Sequence, residues 1–346
     1  MFFSRKKKNP LLELRDQILS GEYKINESTG ENEVTAVVLD VGTENGAYSL
    51  LVISDGTCSL YYENGGGIIG AGGHKNVGYV TKILLKRANE FCDKPVSLMN
   101  GKFPDKNGFI VHIMTKSGNY EFTGNTRALS DGNRSSELFF LCNSVITQLR
   151  LLSERNNVPF SDDEILIQFI KENNEAAFSE ALEELNNPNA MDGDKSALMI
   201  ATYLGNKEIV EKLIHKGADI DYIDHTGMNP LMAASYLGKT ELLDVLADEN
   251  TINASDYSGQ TPIMFACNAG KYECVKSLIG KHADVNMRDK EGSTPMMFAA
   301  QHGYDSIVKL LLENGADKSI TGNHGLKAID FALQNKHRTT VDLLKD

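Results

Sequence analysis

One short phrase returns along the C-terminal half of this chain at a nearly fixed interval, and it constrains the fold more than any other feature. It reads Ser196-Ala197-Leu198-Met199-Ile200-Ala201, then Asn229-Pro230-Leu231-Met232-Ala233-Ala234, Thr261-Pro262-Ile263-Met264-Phe265-Ala266 and Thr294-Pro295-Met296-Met297-Phe298-Ala299. A worn fifth copy is Lys327-Ala328-Ile329-Asp330-Phe331-Ala332. The first residues lie 33, 32, 33 and 33 positions apart. A period of this size with helix-start chemistry marks a stacked helical repeat, in which each unit buries its apolar face on its neighbours rather than in one large core.

Each copy has a mechanical job. Thr, Ser or Asn at the first position is placed as an N-cap whose side-chain oxygen accepts from an orphan N–H, and in three copies Pro follows, where no donor is needed. Farther on, Gly205, Gly238, Gly270 and Gly303 suit the left-handed turn that ends a helix. A second apolar-periodic run follows, as in Glu208-Ile209-Val210-Glu211-Lys212-Leu213-Ile214, and then a break at Gly217-Ala218-Asp219, His282-Ala283-Asp284 or Gly315-Ala316-Asp317. Connecting fingers carry Asn/Asp-x-x-Asp at Asp221 to Asp224, Asn253 to Asp256 and Asn286 to Asp289.

This pattern resembles the ankyrin repeat, with matching features at the expected offsets over residues 159–346. The resemblance implies an all-α solenoid and a role in holding another protein. Residues 159–191 read as a degenerate N-terminal cap, and the polar, shortened helix from Lys336 protects the last apolar face. The chain departs from the family phrase at one place. Where His is expected third after Thr, four copies carry Met199, Met232, Met264 and Met297, which we read as packing between repeats.

At 346 residues the chain is long enough for two domains, expected at 1–157 and 158–346. Its five cysteines are scattered, odd in number and without C-x-x-C spacing, which suits free thiols in a reducing, cytoplasmic setting. No apolar run is long enough to span a bilayer, and the basic cluster Arg5-Lys6-Lys7-Lys8 is followed by no secretory apolar segment. Charge is uneven: through Arg155 there are 18 Lys and Arg against 17 Asp and Glu, and beyond it 17 against 30, a net of +1 and of −13. Such an acidic half repels nucleic acid and speeds encounter with a basic partner, or simply keeps a solenoid soluble.

The first half has another texture. Residues 10–19 place Leu11, Leu14 and Ile18 at helical spacing with charged residues between them. Val34 to Asp40, Tyr48 to Ser54 and Thr57 to Tyr62 are rich in β-branched and aromatic residues, with Asp55-Gly56 as a hairpin signal. A helix is expected over 76–92, a second hairpin over Phe109 to Thr115 and Tyr120 to Thr123, and a long helix over 135–154 with Leu138, Leu141, Val145, Leu149 and Leu152 buried. The order predicts an α+β domain, an antiparallel sheet with helices on one face, followed by the all-α repeat solenoid.

Gly65-Gly66-Gly67-Ile68-Ile69-Gly70 fits G-x-G-x-x-G between a strand and a helix. The strand belongs to a hairpin rather than a βαβ unit, and no Gly-Lys-Ser/Thr closes the loop, so a structural loop is favoured over a nucleotide site reaching to Gly73. The eight histidines show no metal-ligand spacing, and no catalytic constellation is found. No catalytic residue, metal or cofactor is therefore expected.

By position within the resembled family, the partner surface comprises Tyr203, Leu204, Tyr236, Leu237, Asn268, Gln301 and His302 before the inter-helix glycines, and His225, Met228 and Tyr257 on the fingers. The expected function is a non-enzymatic adaptor or scaffold binding a protein, a basic one being a candidate, with neither nucleic acid nor membrane as partner. Alternatives are an inhibitor or immunity protein covering a basic enzyme, and a small-ligand sensor using Gly65 to Gly73.

Overall fold

The computed structural model describes residues 10–20, 33–44, 46–62, 67–68, 70–92, 103–129, 133–155 and 157–345. The basic cluster Arg5 to Lys8, Gly65, Gly66 and Ile69, and the side chain of Leu11 lie outside the described residues. The chain divides into two compact units, 1–161 and 162–346.

In the first unit, α1 (Pro10–Leu19) precedes β1 (Val34–Thr43), β2 (Gly46–Ile53), β3 (Cys58–Tyr62) and β4 (Gly67–Ile68). Then come α2 (Lys75–Glu90), β5 (Gly108–Thr115), β6 (Asn119–Asn125) and α3 (Arg134–Glu154). The strands form one antiparallel sheet in the order β4-β3-β2-β1-β5-β6. Its central strand β1 is buried from Val34 to Gly42. Because successive side chains point to opposite faces, such a strand must be covered on both sides.

That corrects the expectation of helices on one face only. Ala36 and Val38 pair with Ile53 and Leu51, and this face closes on Ile18, Leu14 and Leu19 of α1. The other face carries Phe109, stacked on Phe139 of α3 at 4.5 Å, and Phe122, packed against Phe91 just beyond α2 at 6.3 Å. Within α3, Leu138, Val145, Leu149 and Leu152 are buried as expected, while Leu141 is only partly so.

Asp40 lies on the α1 face, at the centre of β1, with no exposure. It accepts from Arg15 Nε at 2.8 Å and from Ser49 Oγ at 2.5 Å, and His112 Nε2 stands 3.3 Å away. Arg15, which the helical pattern set among the polar residues of α1, is buried against Asp40, with the Phe103 ring 4.5 Å from its guanidinium carbon.

The second unit is a run of helix pairs. They are α4 (Asp162–Lys171) with α5 (Glu175–Leu185), α6 (Ala197–Leu204) with α7 (Lys207–His215), and α8 (Pro230–Leu237) with α9 (Leu243–Leu246). After them come α10 (Pro262–Asn268) with α11 (Tyr272–Gly280), α12 (Pro295–His302) with α13 (Asp305–Glu313), and α14 (Ala328–Gln334) with α15 (Arg338–Leu344). The first helices of successive pairs pack on one another, α6 on α8, α8 on α10, α10 on α12 and α12 on α14.

The caps work, though not all in the expected way. Ser196 Oγ accepts from Met199 N at 3.2 Å and Asn229 Oδ1 from Met232 N at 2.9 Å. Thr294 makes no such side-chain bond, and at Thr261 the chain's own N–H points to Met264 Sδ at 3.5 Å. Met199, Met232, Met264 and Met297 are all buried, so the thioether fills the space between repeats and, at Met264, also accepts from the cap. Gly205, Gly238, Gly270 and Gly303 have φ of 78°, 81°, 68° and 69°, the left-handed conformation that ends the first helix of each pair.

The one short interval, 32 residues from Asn229 to Thr261, has a structural counterpart. Its second helix is cut to a 3₁₀ turn (Thr240–Leu242) and the single turn of α9. Thr251 closes the gap, its hydroxyl donating to the Leu246 carbonyl at 2.9 Å and its N–H to Asp248 Oδ1 at 2.8 Å.

Candidate functional site

The fingers are built from one repeated turn. Asp224 Oδ1 accepts from the N–H groups of Thr226 and Met228 at 2.8 and 3.1 Å; Asp256 does the same for Ser258 and Gln260, and Asp289 for Glu291 and Ser293. This is the side chain mimicking a backbone turn, and it explains the Asp that ends each finger motif. Gly227, which sits within the first of these turns, has φ 83° and a second constraint. A Cβ there would lie 2.6 Å from Tyr257 N, so each finger is laid directly on the next.

On this frame the large apolar groups stand out from the surface. Tyr203 is 36% exposed, Leu204 49%, Tyr236 48% and Tyr257 59%. His225, Gln301 and His302 are also exposed, and Met228, Leu237 and Asn268 are half-buried. The Tyr203 hydroxyl approaches Met228 Sδ at 3.8 Å, Tyr257 lies across Gly227, and Tyr236 meets Phe265 edge-on at 6.4 Å. Three of the expected residues, His225, Met228 and Tyr257, thus lie on the first fingers, and Tyr203 reaches them from the end of α6. Asn268, Gln301 and His302 belong to a different group in the later repeats: His302 Nε2 is 2.9 Å from Asn268 Oδ1 and stacks on Tyr304, while His337 Nε2 lies 3.1 Å from the Gln301 carbonyl.

Two neighbours of Tyr203 were missed from the sequence. Lys195 holds its ammonium 5.0 Å from the Tyr203 ring centre, and Asp194 pairs with the His225 imidazole. The repeat register contained the signal, because Lys195 precedes Ser196 as Met228 precedes Asn229. Partial burial raises the Tyr203 phenol above its ordinary value, and the carboxylates of Asp224 and Asp194 add to the effect. The hydrogen bond from His225 holds Asp194 below the usual carboxylate range. Ile223, Tyr272 and Leu333 are further exposed apolar residues that the positional argument left out.

The glycine cluster looks different in detail. Gly67-Ile68 forms the short strand β4, paired with Leu60 and Tyr61 of β3. A Cβ on Gly72 would fall 1.4 Å from the Gly56 carbonyl, so that glycine lets the turn before α2 sit against the β2–β3 hairpin. Burial pushes the Cys58 thiol up to about 12 and raises those of Cys142 and Cys267 as well. Among the described residues no group of three His, Cys, Asp or Glu could hold a metal ion, and no helix is long and apolar enough to cross a membrane.

A family model described as ankyrin repeats, in three copies, matches residues 139–224, 219–289 and 263–346 and leaves 1–138 uncovered. The chain is similar to the ankyrin repeat protein OPG189 of Variola virus, 34% identical over 80 residues, which are 22% of this chain and 14% of that protein. It is similar to the ankyrin repeat protein nuc-2 of Neurospora crassa, 31% identical over 94 residues, 27% of this chain and 9% of the relative. With ankyrin repeat and SOCS box protein 3 of Homo sapiens it shares 29% identity over 93 residues, 26% of this chain and 18% of the relative. The chain therefore spans less than a fifth of the length of each of these relatives.

Proposed function

This chain belongs to the ankyrin-repeat family, and from that premise we propose that it is a non-enzymatic adaptor or scaffold that holds a protein partner against its first fingers and the adjoining helix ends. Ankyrin repeats generally mediate protein–protein interaction. The observation that carries the proposal here is the row of exposed Tyr203, Tyr236 and Tyr257 on adjacent repeats, in contact with Met228, Phe265 and Gly227. Amphipathic aromatic groups on a rigid frame are the anchors that dominate interfaces, each contributing about 1–3 kcal/mol. Leu204 and Leu237 extend the same surface. The later group, Asn268, Gln301 and His302, supplies polar contacts at its far side. In this proposal residues 158–346 form the binding domain, 1–157 a second module, and five cysteines that form no disulfide among the described residues favour a cytoplasmic setting.

Affinity capture from native lysate with the wild-type chain beside a Tyr203→Ala/Tyr236→Ala/Tyr257→Ala variant tests the proposal. A partner retained by the first and lost by the second is expected. Identical captures would remove the repeat surface from consideration and shift attention to the α+β unit.

A second reading is supported by the net charge of −13 beyond Arg155. An inhibitor or immunity protein that covers a basic enzyme would use that field to steer encounter, with nucleic acid repelled. Its association rate would fall steeply as salt is raised. A rate indifferent to ionic strength would rule it out.

A further inference from the structure

We propose that the face of Tyr203 is a cation-recognition subsite, which in the free chain is filled by the chain's own Lys195 and which in the complex receives an arginine or lysine side chain of the partner. The proposal rests on the protein-binding function argued above and names the chemistry of the segment that docks first.

The geometry is specific to this corner of the repeat unit. Lys195 Nζ stands 5.0 Å from the Tyr203 ring centre, within the range in which an ammonium is attracted to the negative face of an aromatic ring. Among the described residues no carboxylate forms an ion pair with Lys195, and its ammonium rests on the Tyr203 ring instead. The carboxylates beside Tyr203 are engaged elsewhere: Asp194 is taken by His225, and Asp224 Oδ1 by Thr226 and Met228 of its own turn. They still contribute negative potential around the ring. A ring flanked by two carboxylates and turned to solvent favours a cation, and Lys195, on a long flexible stem, is one that can leave.

The same corner offers an apolar neighbour. Met228 adjoins the Tyr203 hydroxyl, and Tyr257, laid across Gly227, continues the surface onto the next finger. An incoming segment therefore meets a cation site and, next to it, an apolar ledge formed by Met228 and Tyr257. That pattern fits a short stretch in which Arg or Lys alternates with Leu-like residues. It does not fit an acidic segment, which would find Asp194 and Asp224 instead of a counter-charge.

Lys195 provides the discriminating variant, because its effect has opposite signs under the two alternatives. If it is a placeholder, Lys195→Gln removes a competitor and binding of a cationic segment tightens. If it is a contact for an acidic partner, the same change weakens binding.

The full chain carrying 3-fluorotyrosine would be titrated with the capped peptide Leu-Arg-Leu-Arg-Leu, its lysine counterpart, a counterpart with citrulline in place of arginine, and one with glutamate, followed by ¹⁹F NMR. The Tyr203 resonance, assigned with Tyr203→Phe, should move with the arginine or lysine peptide. Lys195→Gln should bind that peptide about threefold or more tighter, as expected for one competing cation–π contact. The citrulline peptide, equal in shape and neutral, should bind several-fold more weakly. Equal binding of the citrulline peptide, weaker binding by Lys195→Gln, or an unmoved Tyr203 resonance at millimolar peptide would overturn the proposal. Failure here is separable from failure of the proposed function: a lysate partner lost from the triple tyrosine variant, but also lost from Lys195→Gln, would keep the binding surface and discard cation recognition.

Discussion

Arg15 and Asp40 are twenty-five residues apart in sequence and meet in the interior of the first unit, Nε to Oδ1 at 2.8 Å, with the arginine 1% and the aspartate 0% exposed. The guanidinium fork also engages Oδ2, and Ser49 and His112 complete the shell around the carboxylate. Burial by itself would raise the Asp40 carboxyl. Hydrogen bonds from His112, Arg15 and Ser49 and the charge of Arg15 outweigh it and hold the group below its ordinary value. The pair is what fixes α1 across the sheet, beside Ile18 and Leu14.

Arg15→Met leaves Asp40 charged and buried without its main partner, and should cost about 3–5 kcal/mol. Hydrogen exchange at the β1 amides reads this directly, since a two-unit chain has no single unfolding free energy. The linkage has a definite sign. A carboxyl depressed on folding contributes stability that is complete above its unfolded value near 3.8 and is lost as pH falls through the lower folded value. Protection of β1 should therefore decline below about pH 4 in the wild type. The double variant Arg15→Met/Asp40→Leu should show a smaller acid dependence.

Gly227→Ala should destabilise the repeat unit by about 1–3 kcal/mol, because φ of 83° is unfavourable for a side chain and the new Cβ would meet Tyr257 N at 2.6 Å. Gly217→Ala shares the positive φ, 88°, but meets nothing within 4 Å. It should cost less, by roughly 1 kcal/mol or more. Hydrogen exchange at the α6 and α8 amides of both variants, which reads the repeat unit alone, checks the order.

Met264→Leu conserves volume and loses only the acceptor for Thr261 N–H, so a cost below about 1.5 kcal/mol is expected. Met264→Ala opens a cavity between repeats and should cost about 2–5 kcal/mol. Equal losses would show that the sulfur, rather than the volume, is what matters at this position.

Cys58, Cys142, Cys267 and Cys274 are buried with raised thiol values, and Cys92 is partly exposed. A thiol-specific reagent at pH 8 should modify one cysteine of the native chain quickly and the other four only on denaturation. Mass mapping should place the fast label on Cys92.

Much of the repeat unit was legible in advance. The caps at Ser196 and Asn229, the inter-helix glycines and the finger aspartates are local devices, and each appears where its backbone chemistry requires, whereas the Thr261 and Thr294 hydroxyls do not cap as expected. The interval of 32 residues coincides with the repeat whose second helix is shortened, a link that only the structure made visible. Five of the six described β-strands of the first unit, all but β4, were legible as local signals too, down to the Asp55-Gly56 hairpin. The cover on both faces was less so, although the unbroken apolar run Val37-Val38-Leu39 held the signal of a strand buried on both sides.

The chain by itself thus determined most of the elements, their order and the surface positions of Tyr203, Tyr236 and Tyr257, because helix starts, stops and turns depend on residues within a few positions of one another. Only the tertiary structure decided that Arg15 lies inside rather than in water, that Gly67 and Ile68 join a strand, and that Lys195 rests on Tyr203. Those outcomes depend on partners brought together from distant parts of the chain: a charge is buried only when its counter-charge is already in place, and neither residue carries that information alone.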